Sequence, residues 1–261
     1  MNHRIYINTC VFGAEKMEKV PEYTKAYGSG IGFEILAMFD LPAFEEKLKA
    51  QLPVFSASSI SFHGPVFQAE HSAKRGTKEY EETMWHVRKT FEYAKILHGR
   101  HFTMHLNNCE VIPGKKDEML KNALENYREL SDMFGAIGCP IYVENTGTIR
   151  QKNVLLDQQE FVDLCRQQKF EVLIDIGHAH ANGWNLFRLI DDLAPQIRAY
   201  HLHNNDGSRD LHNRLHEGTM DFDAILSHIR EKTPDADEII EYIRTGQEGA
   251  GLREDIEELM Q

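Results

Sequence analysis

The segment VLIDIGHAHANGWN, residues 172–185, changes from an apolar run to a carboxylate and two imidazoles. Its first three residues are typical of a buried strand, and Asp175, His178 and His180 follow closely. Asp175 alone could cap the next helix, and a lone histidine at a strand end is more often a structural residue than a ligand. Together, however, carboxylates and imidazoles are groups that bind transition metals in proteins.

Similar side chains recur where other predicted strands end. Those that could bind a metal are His63, His105, Glu144, Asp175, His178, His201, Asp210, His212 and Glu241. If these groups converge, their carboxylates repel one another and are driven toward protonation, unless a divalent cation lies between them. A mixed set of His, Asp and Glu suits zinc, manganese or iron better than magnesium or calcium. The sequence therefore predicts a metal site.

Short β-rich runs alternate with longer amphipathic runs along the whole chain. The predicted strands are residues 4–12, 31–39, 58–64, 101–107, 141–146, 171–177, 197–204 and 238–243. The predicted helices are residues 18–27, 43–51, 78–98, 117–136, 157–168, 186–193, 222–231 and 251–260. Such alternation predicts an α/β fold, a closed (β/α)8 TIM barrel with a single domain over residues 1–261.

An open, doubly wound sheet is the alternative architecture. It would usually carry a glycine-rich turn after the first strand, and NTCVFGAEK does not fit that pattern. In a closed barrel, catalytic groups lie at the carboxyl ends of the strands. The ligand-type residues are therefore expected at one mouth of the barrel.

Composition and charge argue against some classes of protein. The formal net charge of −12 argues against a nucleic-acid partner, since proteins bind nucleic acids mainly through lysine and arginine. The four cysteines, Cys10, Cys109, Cys139 and Cys165, form no CxxC pair, which predicts reduced thiols in a cytoplasmic protein. We find no apolar run typical of a signal peptide or a membrane span, and expect no membrane partner.

Six motifs resemble the xylose isomerase-like TIM-barrel superfamily, namely FHGP, MHLNN, VENTG, LIDIGHAHANG, YHLHNNDGSRDLHNRLHEGTMDF and EIIEY. Its members include sugar and sugar-phosphate isomerases and epimerases, inosose dehydratases, and apurinic endonucleases of the endonuclease IV type. In the isomerases and epimerases one metal is bound by four residues, and the resemblance implies that they correspond to Glu144, Asp175, His201 and Glu241. It also implies that His178 contacts the substrate.

The endonuclease IV branch has a trinuclear zinc cluster. The resemblance implies that its additional ligands correspond to His63, His105, His178, Asp210 and His212. The chain is therefore expected to bind one to three divalent ions, zinc or manganese. The chain departs from the pattern of the superfamily in two ways. First, His216 stands where a glycine is usual. Second, Arg150 stands where epimerases of free ketohexoses have a Glu, and Gly207 stands where they have an Arg. The second departure argues against a free ketohexose and leaves Arg150 or Arg209 as candidate contacts for an anion.

Other polar residues could contact the substrate. His203 shares a strand face with His201, so it is either a substrate contact or a structural hydrogen-bonding residue. Glu34, near the end of the second strand, is positioned for a polyol contact. His180 and Trp184 either line the pocket or pack a loop. We expect His3, His71, His86 and His98 at the surface or on helices, and Trp85 in the core or in a subunit contact.

Two reactions fit these residues. In an isomerase or epimerase, Glu144 and Glu241 would transfer a proton next to a substrate carbonyl, through an enediolate stabilised by the metal. The additional ligands favour a phosphodiester hydrolase, whereas the acidic composition and the lack of a basic, aromatic loop disfavour it. A non-catalytic sugar-binding barrel would not require so complete a ligand set. We favour the isomerase or epimerase, acting on a small carbohydrate or sugar phosphate, and the sequence is compatible with a homo-oligomer.

Overall fold

Eight parallel strands close into a barrel, which confirms the predicted (β/α)8 fold. A computed structural model describes residues 4–243 and 247–261, so His3 lies outside the described residues. The strands are β1 (Ile5–Asn8), β2 (Ile31–Leu36), β3 (Ser59–His63), β4 (Phe102–His105), β5 (Ile141–Glu144), β6 (Glu171–Asp175), β7 (Ile197–Leu202) and β8 (Asp237–Ile240). Each strand pairs in parallel with the next, and β8 pairs with β1.

Helices connect the strands and surround the barrel. They are α1 (Val20–Tyr27), α2 (Pro42–Phe55), α3 (Lys78–Leu97), α4 (Lys116–Gly135), α5 (Gln158–Gln168), α6 (Ile176–Ala181), α7 (Leu186–Leu193), α8 (Phe222–Lys232) and α9 (Ala250–Leu259). Side-chain caps mark the first residues of several helices. Thr77 accepts a hydrogen bond from the backbone of Tyr80 at α3, and Asp157 with Glu160 forms a capping box at α5.

All eight strands end earlier than predicted, and at two of them a polar side chain caps the turn that follows. β1 stops at Asn8, whose side chain accepts a hydrogen bond from the backbone of Cys10 and begins a 3₁₀ turn. β6 stops at Asp175, whose carboxylate accepts from the backbone of His178 and begins α6. Such local bonds compete with strand pairing. Two helices, α6 and α7, therefore follow β6 where one was predicted.

The barrel interior has an apolar layer and a polar layer. The apolar layer consists of Tyr6, Leu173, Ala199 and Ile239, with Tyr142 packed against them. Two residues further along the same strands, the inward positions are polar: Asn8, Glu144, Asp175, His201 and Glu241. The candidate site therefore lies directly above an apolar layer of the barrel interior.

Of the expectations about individual residues, the one for His71 is corrected. His71 is buried in the loop before α3, at neither the surface nor a helix, while His86 is buried on α3. His98 is exposed and ends α3, and Trp85 is half exposed on that helix, outside the core.

Among the described residues all four cysteines are free thiols, with Cys109 exposed and the others buried. Within residues 4–243 and 247–261, no helix has the length and apolar character needed to cross a membrane.

Candidate metal centre

Strand register brings the predicted ligands to one level of the barrel. His105 pairs with Glu144, and Asp175 pairs with His201, across neighbouring strands. Because the barrel closes, their inward side chains face one another. All nine predicted ligands belong to overlapping groups whose donor atoms lie within 4.8 Å of one another: His63, His105, Glu144, Asp175, His178, His201, Asp210, His212 and Glu241.

The first site is formed by His63, His105 and Glu144. His105 Nε2 lies 3.0 Å from Glu144 Oε2, and His63 Nε2 lies 3.4 Å from the same oxygen. On the other side of each ring, Nδ1 donates to a fixed acceptor, Gly64 O at 2.8 Å for His63 and Asn108 Oδ1 at 2.7 Å for His105. A neutral ring with its proton on Nδ1 presents a lone pair on Nε2. Both lone pairs then point toward the Glu144 carboxylate, an arrangement that suits three ligands around one metal ion.

The central site is formed by Glu144, Asp175, His201 and Glu241. His201 Nδ1 lies 3.5 Å from Glu144 Oε1, 3.4 Å from Glu241 Oε2 and 3.9 Å from Asp175 Oδ2. The opposite nitrogen, Nε2, is 2.8 Å from Glu34 Oε2. Glu144 therefore contributes one oxygen to the first site and the other to the central site.

The third site is formed by His178, Asp210 and His212. His178 Nε2 lies 3.2 Å from Asp210 Oδ2, and His212 Nε2 lies 3.0 Å from Asp210 Oδ1. Each ring again donates through Nδ1 to a backbone carbonyl, Asn145 O at 3.2 Å and Glu241 O at 2.8 Å. The pattern places the proton on Nδ1 in the four histidines of the first and third sites, whereas His201 in the central site faces its acceptor with Nε2.

Opposite charges in the site hold the Glu144 carboxylate ionised. Burial opposes ionisation of Glu144, yet the imidazoles of His105 and His201 hold its pKa well below the usual range. Burial likewise opposes a charge on His63, but the Glu144 and Glu241 carboxylates raise its pKa to about 8. The carboxylates therefore need positive partners, either imidazolium rings or divalent cations.

Three buried atoms lie where a cation would satisfy them. Among the described residues, Glu144 Oε1, His201 Nδ1 and Asp210 Oδ1 have no hydrogen-bond partner. Buried polar atoms are normally satisfied, so an unsatisfied set of this kind is typical of residues that bind a cation. Imidazole nitrogens with carboxylate oxygens and no thiolate suit zinc or manganese. The residues therefore fit the divalent ions expected from the sequence.

His203 supports the ligand Asp175 from within the barrel wall. Its Nε2 lies 3.0 Å from the Asp175 carboxylate, its side chain is 0% exposed, and its ring stacks on His212 with centroids 3.9 Å apart. A side chain on Gly177 would start 1.9 Å from the His203 ring, so glycine is required there. Of the two interpretations of His203, the geometry favours the structural one over a substrate contact.

Glu34 lies deeper than the sequence suggested. Its carboxylate is 0% exposed and accepts hydrogen bonds from Asn8 Nδ2, Thr103 Oγ1 and His201 Nε2, each at 2.8 Å. The expected polyol contact is therefore corrected, because Glu34 lies two residues before the end of β2 and beneath the cavity. Its partner Asn8 was missed, because the first strand was predicted to continue to residue 12 and β1 ends at Asn8.

The two arginines considered as anion contacts do not line the cavity that the described residues enclose. Arg150 is exposed on a 3₁₀ turn, and Arg209 Nε binds Asp206 Oδ2 at 2.7 Å on the surface. Both expectations are corrected, since each guanidinium is solvated or already paired. His180 bonds Thr219, and Trp184 packs near Phe161, which supports a role in loop packing.

A cavity of about 490 Å³ opens above these groups. Its ligand-type lining residues are His63, His105, Glu144, His178, Asp210, His212 and Glu241. One part of the wall is apolar: Leu36, Met38, Leu41, Val66, Phe67 and Ile243. Another part is polar and uncharged: Asn107, Asn108, Thr146, Gln151 and Asn153. No lysine or arginine lines the cavity among residues 4–243 and 247–261.

The sequence matches a known protein family. The family model for the xylose isomerase-like TIM barrel matches residues 30–261. The chain belongs to this family. No curated protein sequence matches this xylose isomerase-like barrel.

Several solved structures share the fold of this xylose isomerase-like barrel at low identity. A D-tagatose 3-epimerase-like protein has 18% identity and a TM-score of 0.78, covering 98% of both chains. The IOLI protein with a bound zinc atom has 20% identity and a TM-score of 0.73, covering 97% of this chain and 94% of that one. An AP endonuclease, family 2, from Brucella melitensis has 18% identity and a TM-score of 0.70, covering 94% of each chain. At these identities the likeness concerns the fold.

Proposed function

We propose that the protein is a divalent-metal-dependent isomerase or epimerase of a small carbohydrate. The observation that carries this proposal is the position of Glu144 and Glu241, which both line the cavity and both approach the same nitrogen, His201 Nδ1. Two carboxylates facing one small cavity can remove a proton from a substrate carbon and return one to another position. The sugar-epimerase-like neighbour with the same fold is consistent with this chemistry.

The metal would be bound at the central site by Glu144, Asp175, His201 and Glu241. When bound, zinc or manganese would stabilise negative charge on adjacent oxygens of a hydroxy-carbonyl substrate. Glu144, held ionised by its histidine neighbours, would accept the proton next to the carbonyl. Glu241, which follows β8, would enter the step carrying a proton taken from solvent and donate it to the adjacent carbon or to the opposite face of the same carbon, after which Glu144 would release its proton to solvent.

The walls of the cavity support a small substrate. A volume of about 490 Å³ lies within the range of small-molecule sites. The amide and hydroxyl groups of Asn107, Thr146, Gln151 and Asn153 offer hydrogen-bonding partners for substrate hydroxyls. Since the described lining residues include no lysine or arginine, an unphosphorylated carbohydrate is the preferred substrate over a sugar phosphate.

Phosphodiester hydrolysis is the second candidate, and it has one specific observation in its favour. His178, Asp210 and His212 form a third donor group beyond the central site, as a multinuclear metal cluster would require. Against it, nucleic acids are bound through cationic side chains, and the described cavity wall has none. The cytoplasmic location and the homo-oligomer expected from the sequence stay predictions.

Deuterium uptake tests the proposed reaction. The metal-loaded protein in heavy water, incubated with a panel of free sugars, sugar phosphates and glycosides, is expected to introduce deuterium next to the carbonyl of one of them. Glu144→Gln and Glu241→Gln should each reduce that exchange by about a hundred- to ten-thousand-fold. Cleavage of a phosphodiester without deuterium uptake by any sugar would contradict the proposal and support the hydrolase.

A further inference from the structure

We propose that Glu34 is a positioning residue of the metal centre, which fixes the ring orientation and tautomer of His201 so that Nδ1 faces the central site. The inference rests on the metal-binding part of the proposed function and is independent of the reaction. It gives Glu34 a role different from the substrate contact expected from the sequence.

The first evidence is the contact between the two side chains. Both Glu34 and His201 are 0% exposed, and His201 Nε2 lies 2.8 Å from Glu34 Oε2. A neutral imidazole has one N–H, and a carboxylate without a proton can only accept it. With the proton on Nε2, the buried Nδ1 keeps its lone pair toward Glu144 and Glu241.

Glu34 is itself held by neighbouring strands. Asn8, its register partner on β1, donates to Oε2 at 2.8 Å, and Thr103 on β4 donates to Oε1 at 2.8 Å. The carboxylate therefore cannot rotate without breaking several bonds in a buried environment, where each unsatisfied group is costly. Its orientation is imposed by the barrel wall.

The same network reaches a second ligand. Asn8 Nδ2 also donates to Glu241 Oε1 at 3.0 Å, which leaves Glu241 Oε2 facing His201 Nδ1 at 3.4 Å. Glu34 and Asn8 thus orient two of the four ligands of the central site, one on β7 and one after β8. Support of this kind raises the metal affinity because the ligands need little reorganisation on binding.

Three substitutions separate positioning from general structural support. Glu34→Leu removes the acceptor for His201. Glu34→Gln removes the charge but keeps an acceptor, because its carbonyl can face His201 and Asn8 while its amide donates to the rotatable Thr103 hydroxyl. Thr90→Val is the control, since it removes a buried threonine hydrogen bond on α3, from Oγ1 to His86 O at 3.0 Å, and touches neither Glu34 nor His201.

The readouts use the full chain with zinc or cobalt and no substrate. Nitrogen-15 NMR of the zinc-loaded protein is expected to find the His201 proton on Nε2. Glu34→Leu should weaken zinc binding by about ten- to a hundredfold in chelator competition and change the visible spectrum of bound cobalt. Glu34→Gln should keep the cobalt spectrum with a smaller loss of affinity, and Thr90→Val should leave both the affinity and the spectrum unchanged.

Three results would overturn the inference. They are a His201 proton on Nδ1 in the zinc-loaded protein, unaltered zinc affinity and cobalt spectrum in Glu34→Leu, or equal losses in Thr90→Val and Glu34→Leu. The first needs no variant, so a failure of Glu34→Leu to fold does not prevent the test. A protein that binds zinc as described but exchanges no sugar proton would refute the proposed reaction and leave the role of Glu34 intact.

Discussion

His105 and Asn108 form a hydrogen bond of 2.7 Å between Nδ1 and Oδ1, and this bond turns the other ring nitrogen toward Glu144. The amide of Asn108 cannot flip easily, because its Nδ2 donates to the carbonyls of Pro65 and Ala69 at 3.2 and 2.8 Å. The loop after β3 therefore determines which nitrogen of a β4 histidine faces the first site.

Removal of this bond should weaken metal binding at the first site. We expect Asn108→Ala to lower the affinity of that site by about ten- to a hundredfold, because His105 loses the acceptor that fixes its tautomer. Isothermal titration with zinc measures the effect. The control is Asn122→Ala, which removes a bond from Nδ2 to Ser72 O at 3.2 Å and touches no predicted ligand. Equal losses in both variants would contradict this role.

Metal removal should destabilise the fold. Without a cation, the buried carboxylates Glu144, Asp175 and Glu241 lose a positive partner, and a ligand that binds only the folded state raises its stability. Chelation is therefore expected to lower the thermal midpoint, and zinc or manganese should restore it. An identical midpoint before and after verified removal of metal would argue that histidines alone neutralise the site.

Histidines outside the central site should matter less than its glutamates. Under the isomerase proposal, His63→Ala and His212→Ala should each retain sugar proton exchange within about tenfold, whereas the glutamine variants lose about a hundredfold or more. The assay is deuterium incorporation followed by NMR. If either histidine variant abolishes activity as fully as Glu144→Gln, more than one metal site is required for catalysis.

His71 should make the fold sensitive to acid. Burial lowers its pKa from 6.5 to about 4, so the unfolded chain takes up this proton first as the pH falls. Its contribution to stability is present above about pH 6.5 and is lost progressively toward pH 4, on the order of 3 kcal/mol in total. The measurement is the free energy of unfolding in urea across this range.

The substitution His71→Leu removes this titration and should flatten that part of the stability curve. His98→Asn is the control, because His98 is exposed and asparagine tolerates its left-handed backbone at φ 53°. A curve for His71→Leu as steep as that of the unsubstituted protein would show that other groups cause the acid sensitivity.

The barrel and the convergence of the candidate ligands could be predicted because both follow from strand ends. His63, His105, Glu144 and Asp175 each end a strand, and parallel strands in a barrel bring their carboxyl ends to one mouth. The alternation of β and α patterns therefore contained most of the information about their convergence.

Depth within the barrel could not be predicted in the same way. Glu34 and Glu144 are both acidic and near strand ends, but β2 continues two residues past Glu34 to Leu36. That difference moves Glu34 beneath the cavity, where it contacts His201 instead of a substrate. The cap formed by Asp175 was equally ambiguous, because one carboxylate can be both a ligand and the start of a helix.

The most direct test of the account is the location of bound metal in crystals of the protein grown with zinc, measured by anomalous scattering at the zinc edge. We predict an ion at the central site within bonding distance of Glu144, Asp175, His201 Nδ1 and Glu241, and that His63→Ala leaves it in position. Crystals with no anomalous peak among these four residues, from protein shown to be folded and exposed to excess zinc, would contradict the account.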